Sequence, residues 1–224
     1  VAYRESLATQ PNPGLLQQAT FQTVKPETVS SFELGYRGLV TKRLLIDVYG
    51  YLSRYNDFIA RVAVGRGRSA VPAQAPLELA SPFTTTNYSF VTNTDNTVKA
   101  FGYGLSVDYQ LGRGFDATLN FSSDELNDVP EGLVTFFNTP KYRFNIGLGN
   151  DKIAGNWGFN VLYRWQDEVL WQGTFGTGEI PSFGTLDAQV NYRFPRIRSI
   201  IKLGGSNILN KYYYSAFGNP QVGG

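Results

Sequence analysis

The 224-residue sequence contains no cysteine, no histidine and no methionine. Without cysteine there is no disulfide, no thiolate nucleophile and no sulfur-ligated metal. Without histidine the usual general base and the commonest transition-metal ligand are both missing, and a Ser-His-Asp arrangement is excluded. The expectation is therefore a non-enzyme with no catalytic residue, no metal and no cofactor. Methionine is missing even at position 1, where Val1 stands, so the chain reads as a processed or cut piece. No signal peptide is visible, and no run of about 18 apolar residues offers a membrane-spanning helix. A net charge of +2 gives no concentrated basic face, so nucleic acid is not an expected partner.

Aromatic residues and glycine are abundant: 16 Phe, 14 Tyr, 3 Trp and 24 Gly. At a hydrophobic content of 42%, that combination points to β-structure with close backbone contacts. Alternation then dominates the chain. Phe101, Tyr103, Leu105, Val107 and Tyr109 alternate with Gly102, Gly104, Ser106, Asp108 and Gln110. Phe115, Ala117, Leu119 and Phe121 alternate with Asp116, Thr118, Asn120 and Ser122. Tyr142, Phe144, Ile146 and Leu148 oppose Arg143, Asn145, Gly147 and Gly149. Two further strands run from Trp157 to Gln166 and from Leu186 to Phe194 with the same pattern. On the polar face of these five, Leu162 is the one large apolar residue. A period of two gives each strand one apolar and one wet surface. Less pure strands over Val29–Leu39, Leu44–Ala60 and Ser199–Leu209 bring the expected total to eight.

The connections alternate in length. Short ones are Thr41-Lys42-Arg43, Gly112-Arg113-Gly114, Asp151 to Gly155 and Pro195 to Arg198. Long ones are Arg61–Asn96, Ser123–Pro140 and Asp167–Ser182, and Lys211–Gly224 trails off. Strict alternation predicts an all-β, antiparallel up-and-down meander with tight turns at one edge, the asymmetry of a transmembrane β-barrel. A soluble sandwich also alternates, but it does not require aromatics at strand ends around aliphatic centres. Phe115 and Phe121 flank Ala117 and Leu119, and Trp157 and Trp165 bracket Val161. A bilayer with two interfaces does ask for that order. If the short turns are periplasmic, both ends of the eight-stranded meander lie outside, so it should not close on itself. Val29–Leu39 is expected not to pair with Ser199–Leu209.

Several segments resemble the barrel of TonB-dependent outer-membrane receptors. Lys25-Pro26-Glu27-Thr28 followed by Ser31-Phe32-Glu33-Leu34-Gly35-Tyr36 is similar to a strand opening of that family. So are Tyr49-Gly50-Tyr51 with Tyr55-Asn56-Asp57-Phe58-Ile59, and Asn93, Lys99 and Gly102. Leu186-Asp187 and Ser206-Asn207-Ile208-Leu209-Asn210-Lys211-Tyr212-Tyr213 resemble its closing segments. One departure is Gly104, where the family often has Glu. The resemblance covers essentially the whole chain. It implies eight consecutive strands of a larger barrel of about 22 strands, the fourteenth to the twenty-first. Residues 1–224 would then be a partial barrel, with a plug domain and the final strand outside it.

The implied function is active import of a scarce solute of unknown identity through a plugged barrel energised by the TonB system. The alternative is a passive porin, or a small outer-membrane barrel or adhesin without energy coupling. The implied location is the bacterial outer membrane. Implied partners are membrane lipid and lipopolysaccharide, the protein's own plug, the TonB complex and, as an optional addition, a surface lipoprotein.

Two groups of candidate site residues follow. Glu33, Arg37, Asp47, Asp108, Asp116, Arg143, Arg164, Asp187 and Arg193 are expected to face the lumen. They read as a neutralised hydrogen-bond network seating a plug in preference to a ligand path. Arg61, Arg66 and Arg68 in the longest loop could meet an anionic solute or lipopolysaccharide phosphate, although such a run more often only keeps a loop solvated. The glycines around them make no phosphate loop, because no Gly-Lys-Ser/Thr follows. Pro72, Pro76 and Pro82 mark that loop as irregular. Tyr212, with Tyr213 and Tyr214, could stack on a ligand at the outer mouth, but an interfacial girdle is the better account.

Overall fold

A computed structural model describes residues 2–4, 17–18, 20, 22–69, 74, 78–79, 83–173 and 176–223. Pro72, Pro76 and Pro82 lie outside the described residues. In chain order the strands are β1 (Ala2–Arg4), β2 (Gln17–Gln18), β3 (Thr28–Thr41), β4 (Leu44–Asn56) and β5 (Ile59–Gly67). Then come β6 (Thr85–Asn93), β7 (Val98–Gly112), β8 (Phe115–Asn127), β9 (Leu133–Val134) and β10 (Tyr142–Ala154). The last are β11 (Trp157–Gln166), β12 (Val169–Gln172), β13 (Thr177–Ile180), β14 (Phe183–Phe194) and β15 (Ser199–Gly205). Among the described residues no helix is long and apolar enough to cross a membrane, which says nothing of crossing by strands.

Eight strands form one sheet in the order β15-β14-β11-β10-β8-β7-β4-β3, the expected up-and-down meander. The sheet is open: β3 and β15 are its two edges and are not neighbours. Its registers keep like with like. Phe144 faces Phe121 on one side and Trp165 on the other, while Asn145 faces Asn120 and Arg164. Because the side-chain period is two, this single register sorts every residue of β8, β10, β11 and β14 to one face or the other. Ile146, Leu148, Trp157 and Val190 remain exposed on the apolar face. In the same body Ser123, Asn150, Thr185 and Asn191 are buried. Exposed apolar and buried polar groups invert the arrangement of a water-soluble core, as a lipid-facing wall requires.

The tight turns follow from local chemistry. Between β7 and β8, Arg113 (φ 52) and Gly114 (φ 81) both take positive φ, as a two-residue hairpin turn demands. The expected short connection at Asp151–Gly155 is shorter still, because β10 runs to Ala154 through a register shift after Asn150. The strand expected over Leu44–Ala60 is cut at Asp57, whose φ of 52 ends the extended run. The strand expected to reach Leu209 stops at Gly205, and Asn207 and Asn210 turn with φ 49 and 52.

Two of the expected loops contain paired strands. Within Arg61–Asn96, β5 and β6 pair from Ile59↔Asn93 to Gly67↔Thr85. They belong to a second sheet of five strands, in the order β2-β1-β5-β6 with β9 on β5. Within Asp167–Ser182, β12 and β13 form their own hairpin. Val62, Val64, Tyr88 and Phe90 supply the β-branched and aromatic residues that strands favour, and the proline and glycine content of the segment hides them. The chain divides into two compact units. One comprises Val1–Ser30, Ser53–Lys99 and Leu126–Thr135; the other comprises Ser31–Leu52, Ala100–Glu125 and Phe136–Gly224.

Candidate functional site

Among the described residues, the larger unit carries three ion pairs on the face opposite the apolar one. Arg143 donates through Nη2 to Asp124 and through Nε to Ser122 Oγ at 3.1 Å. Asp124 also accepts from the Tyr51 hydroxyl at 2.7 Å. Arg164 donates to Asp187, whose other oxygen accepts from the Asn207 backbone N–H at 2.9 Å. Arg37 and Asp47 stand 3.7 Å apart in a solvent-exposed pair. Of the nine polar-face candidates, Arg37, Asp47, Arg143, Arg164 and Asp187 are thus paired. Asp124 and Tyr51, which complete the pairing of Arg143, were not among them.

The others are scattered. Glu33 and Asp108 are exposed. Asp116 and Arg193 line a second cavity of about 440 Å³ together with Lys202 and Asn191. The buried Arg193 Nε makes no hydrogen bond among the described residues. Nearer the loop edge, Lys141 lies 3.1 Å from Glu125 just before β10. Its hydrogen bond to Glu125, then the charge of that carboxylate, raise the ammonium pKa above the ordinary lysine value.

Tyr49 and Tyr51 lie on the polar face because two glycines make room for them. A Cβ on Gly102 would collide with the Tyr51 ring and come within 2.7 Å of Asp124 Oδ1. A Cβ on Gly104 would collide with the Tyr49 ring. Gly104, the departure from the resembled pattern, therefore accommodates an aromatic ring where a long carboxylate could not fit.

A groove of about 670 Å³ opens on this face. Asp47, Tyr49, Arg143 and Arg164 line it, with Ser106, Asn120, Asn145, Thr185 and Tyr213. Tyr213 stacks on Phe183 at 4.2 Å between ring centroids. Tyr212 is exposed. Arg61, Arg66 and Arg68 are in or beside β5, not in an irregular loop, and alternation sets Arg61 on the opposite face from Arg66 and Arg68. They do not form one cluster.

The quoted motifs turn out to staple backbone. Asn93 Oδ1 accepts from the Lys25 N–H at 2.7 Å, and its Nδ2 donates to the Lys25 carbonyl at 3.0 Å and to the Asp57 carbonyl at 2.6 Å. Glu27 accepts from the Ile59 N–H at 2.8 Å. Asn207 holds both the N–H and the carbonyl of Lys211, each at 2.9 Å. Asn138 holds those of Gln172 at 2.7 and 2.8 Å.

The sequence profile described as "TonB dependent receptor-like, beta-barrel" matches residues 3–210. The chain belongs to that family. Its place is therefore the bacterial outer membrane, and the open eight-stranded sheet is barrel wall. Similar solved structures include the copper transporter OprC, with 17% identity, 90% of this chain and 30% of that one covered, and a TM-score of 0.63. The FrpB iron transporter from Neisseria meningitidis matches at 16% identity over 90% of this chain and 30% of that one, with a TM-score of 0.61. The pyoverdine outer-membrane receptor FpvA from Pseudomonas aeruginosa matches at 13% identity, with 87% and 27% covered and a TM-score of 0.60. At these identities the likeness is one of fold, and the chain spans about 30% of the length of OprC and FrpB. No curated protein matches the sequence.

Proposed function

We propose that the chain forms part of the wall of a receptor that imports a scarce solute through a plugged barrel, energised by the TonB system. The observation that carries this reading is the polar face of a sheet belonging to this family. Its arginines and acids pair in part with one another, as in Arg143–Asp124–Tyr51 and Arg164–Asp187–Asn207. Charge of mixed sign, paired in part, suits a surface that seats a plug and lets solute pass, and suits poorly a strongly ion-selective open pore. The names of similar structures, a copper transporter, an iron transporter and a pyoverdine receptor, favour a transport role.

On this reading lipid and lipopolysaccharide meet the apolar face, and the protein's own plug domain and the TonB complex are its working partners. A surface lipoprotein is an optional addition. The segments 61–96, 123–140 and 167–182 carry solute selectivity, because a rigid scaffold presents such connections without itself changing. Arg61, Arg66 and Arg68 in the first of these segments, and Tyr212 in the segment 211–224, are the proposed contact residues. Glu33, Arg37, Asp47, Asp108, Asp116, Arg143, Arg164, Asp187 and Arg193 face the lumen and serve stability and plug seating. Uptake by the full-length protein, measured with and without a functional TonB system, tests the reading. Uptake that ceases without TonB is expected; uptake that persists supports the passive alternative. Selectivity unaltered by shortening each of the three segments would overturn the assignment to them.

A further inference from the structure

We propose that the tight-turn edge of the eight-stranded sheet is a docking surface for anionic phospholipid headgroups of the periplasmic leaflet. The connections β3–β4, β7–β8, β10–β11 and β14–β15 all leave this edge, and all belong to the larger compact unit. They carry Lys42, Arg43, Arg113, Lys152, Arg196 and Arg198, against Asp151 as the one acid. All six basic residues are exposed, and none forms a salt bridge among the described residues. The opposite edge of the same unit mixes its signs, with Glu125, Lys141, Asp167, Glu168, Glu179 and Lys211. Charge that only kept turns solvated could be of either sign. Segregation of one sign along one edge calls for an anionic neighbour.

The surface that these charges border identifies the neighbour. On the apolar face at this end, Phe115 meets Phe159 at 6.2 Å between ring centroids. Trp157 meets Tyr192 at 4.8 Å, and Tyr192 meets Phe194 at 4.6 Å. Aromatic belts of this kind lie at headgroup level. Ile153 and Ile197 stand exposed among the basic residues, the mixture that an interfacial segment presents. Tight turns of outer-membrane barrels lie on the periplasmic side, where the leaflet is phospholipid. Successive turns are two strands apart, about 10 Å, which is close to the Debye length of about 8 Å. Their fields overlap, so the edge attracts as one strip. A Cβ on Gly112 would stand 3.6 Å from Arg43 Nη1, so this guanidinium reaches from the first turn to the second. Arginine forks match the paired oxygens of a phosphate.

The test places the purified full-length receptor in phosphatidylcholine nanodiscs that carry spin-labelled phosphatidylglycerol or spin-labelled phosphatidylcholine. The motionally restricted fraction of each label gives the preference of the protein boundary for anionic lipid. Heat-modifiable gel mobility reports a folded barrel. Wild type should prefer phosphatidylglycerol about fivefold, the attraction of roughly one basic residue per headgroup. The preference should fall towards one in Arg43→Gln/Arg113→Asn/Arg196→Gln/Arg198→Asn, and also in high salt. Asparagine replaces Arg113 and Arg198 because their φ angles are 52 and 49, a region that asparagine tolerates. Should that variant not fold, Arg196→Gln/Arg198→Asn alone should lower the preference to about twofold. Lys141→Gln/Lys211→Gln, at the opposite edge, should keep it whole. No preference in wild type overturns the proposal, as does a preference that the folded turn-edge variants retain. Equal loss in the opposite-edge variant overturns it too. Faster proteolysis of the plug in the turn-edge variants, with lipid preference unchanged, would assign these charges to the plug instead.

Discussion

The side-chain amide of Asn93 is bonded to both backbone groups of Lys25, accepting from its N–H at 2.7 Å and donating to its carbonyl at 3.0 Å. The two residues are 68 positions apart. A carboxamide used in this way imitates one residue of a neighbouring strand, so it can tie down a segment that has no strand beside it. A third bond, to the Asp57 carbonyl, attaches the same side chain to the turn that ends β4. We expect Asn93→Ala to destabilise the full-length barrel by about 1–2 kcal/mol in urea titrations in detergent, since three modest bonds are lost in a partly exposed setting. Asn93→Asp should cost more than Asn93→Ala, because it sets a carboxylate against two carbonyl oxygens. An aspartate variant as stable as wild type would show that the amide donor contributes nothing.

Arg143, Asp124 and Tyr51 should behave as one network. Tyr51→Phe removes one hydrogen bond and should cost about 1 kcal/mol. Asp124→Asn leaves the guanidinium without its counter-charge and should cost more. The two changes should be non-additive by at least about 0.5 kcal/mol in a double-mutant cycle. Strict additivity would mean that Tyr51 and Asp124 do not interact.

Gly102 and Gly104 should resist enlargement because of the rings that cover them. Gly104→Val is expected to cost about 1–3 kcal/mol through overpacking against Tyr49. In a Tyr49→Ala background most of that cost should disappear, because the colliding ring is gone. If Gly104→Val is as harmful without the ring as with it, the backbone and not Tyr49 explains the glycine.

The two faces of β10 and β14 should report different solvents. Nitroxide labels at Ile146 and Val190 are expected to be quenched by apolar oxygen, and labels at Asn145 and Asn191 by a water-soluble nickel chelate. Ile146→Lys should cost about 2–4 kcal/mol if the residue lies near the bilayer centre, falling towards zero near an interface. Equal quenching by both agents at all four sites would contradict a membrane-facing wall.

Much of the fold was legible in the residue order because a β-strand has a period of two. Phe144, Ile146 and Leu148 could be assigned to one face, and Asn145 to the other, from alternation alone. Length alternation of the connections then set the meander, because tight turns can join only antiparallel neighbours.

Alternation was least informative where residues break it. Asn150 sits in register with Phe115 and Phe159 on the apolar face, yet it is buried. There it donates to the Arg113 carbonyl at 3.1 Å and accepts from the Lys152 N–H at 2.8 Å. A pattern of apolar residues reads such an asparagine as the end of a strand, when it is the clasp between two turns. The extent of β5 and β6 was likewise hidden, because strand pairing is a contact between distant segments and leaves only a weak local trace.

What the sequence determined by itself, then, is which side chains share a face, because that depends only on the parity of their positions. Which arginine meets which acid is a different kind of fact. Arg143 could have paired with Asp116 or Asp108 as readily as with Asp124, since all three share its face. The register of β10 against β8 sets Arg143 opposite Ser122, one step along the same face from Asp124. Only the tertiary structure decides that, because hydrogen bonds act over about 3 Å and a two-residue slip in register moves a partner by roughly 7 Å.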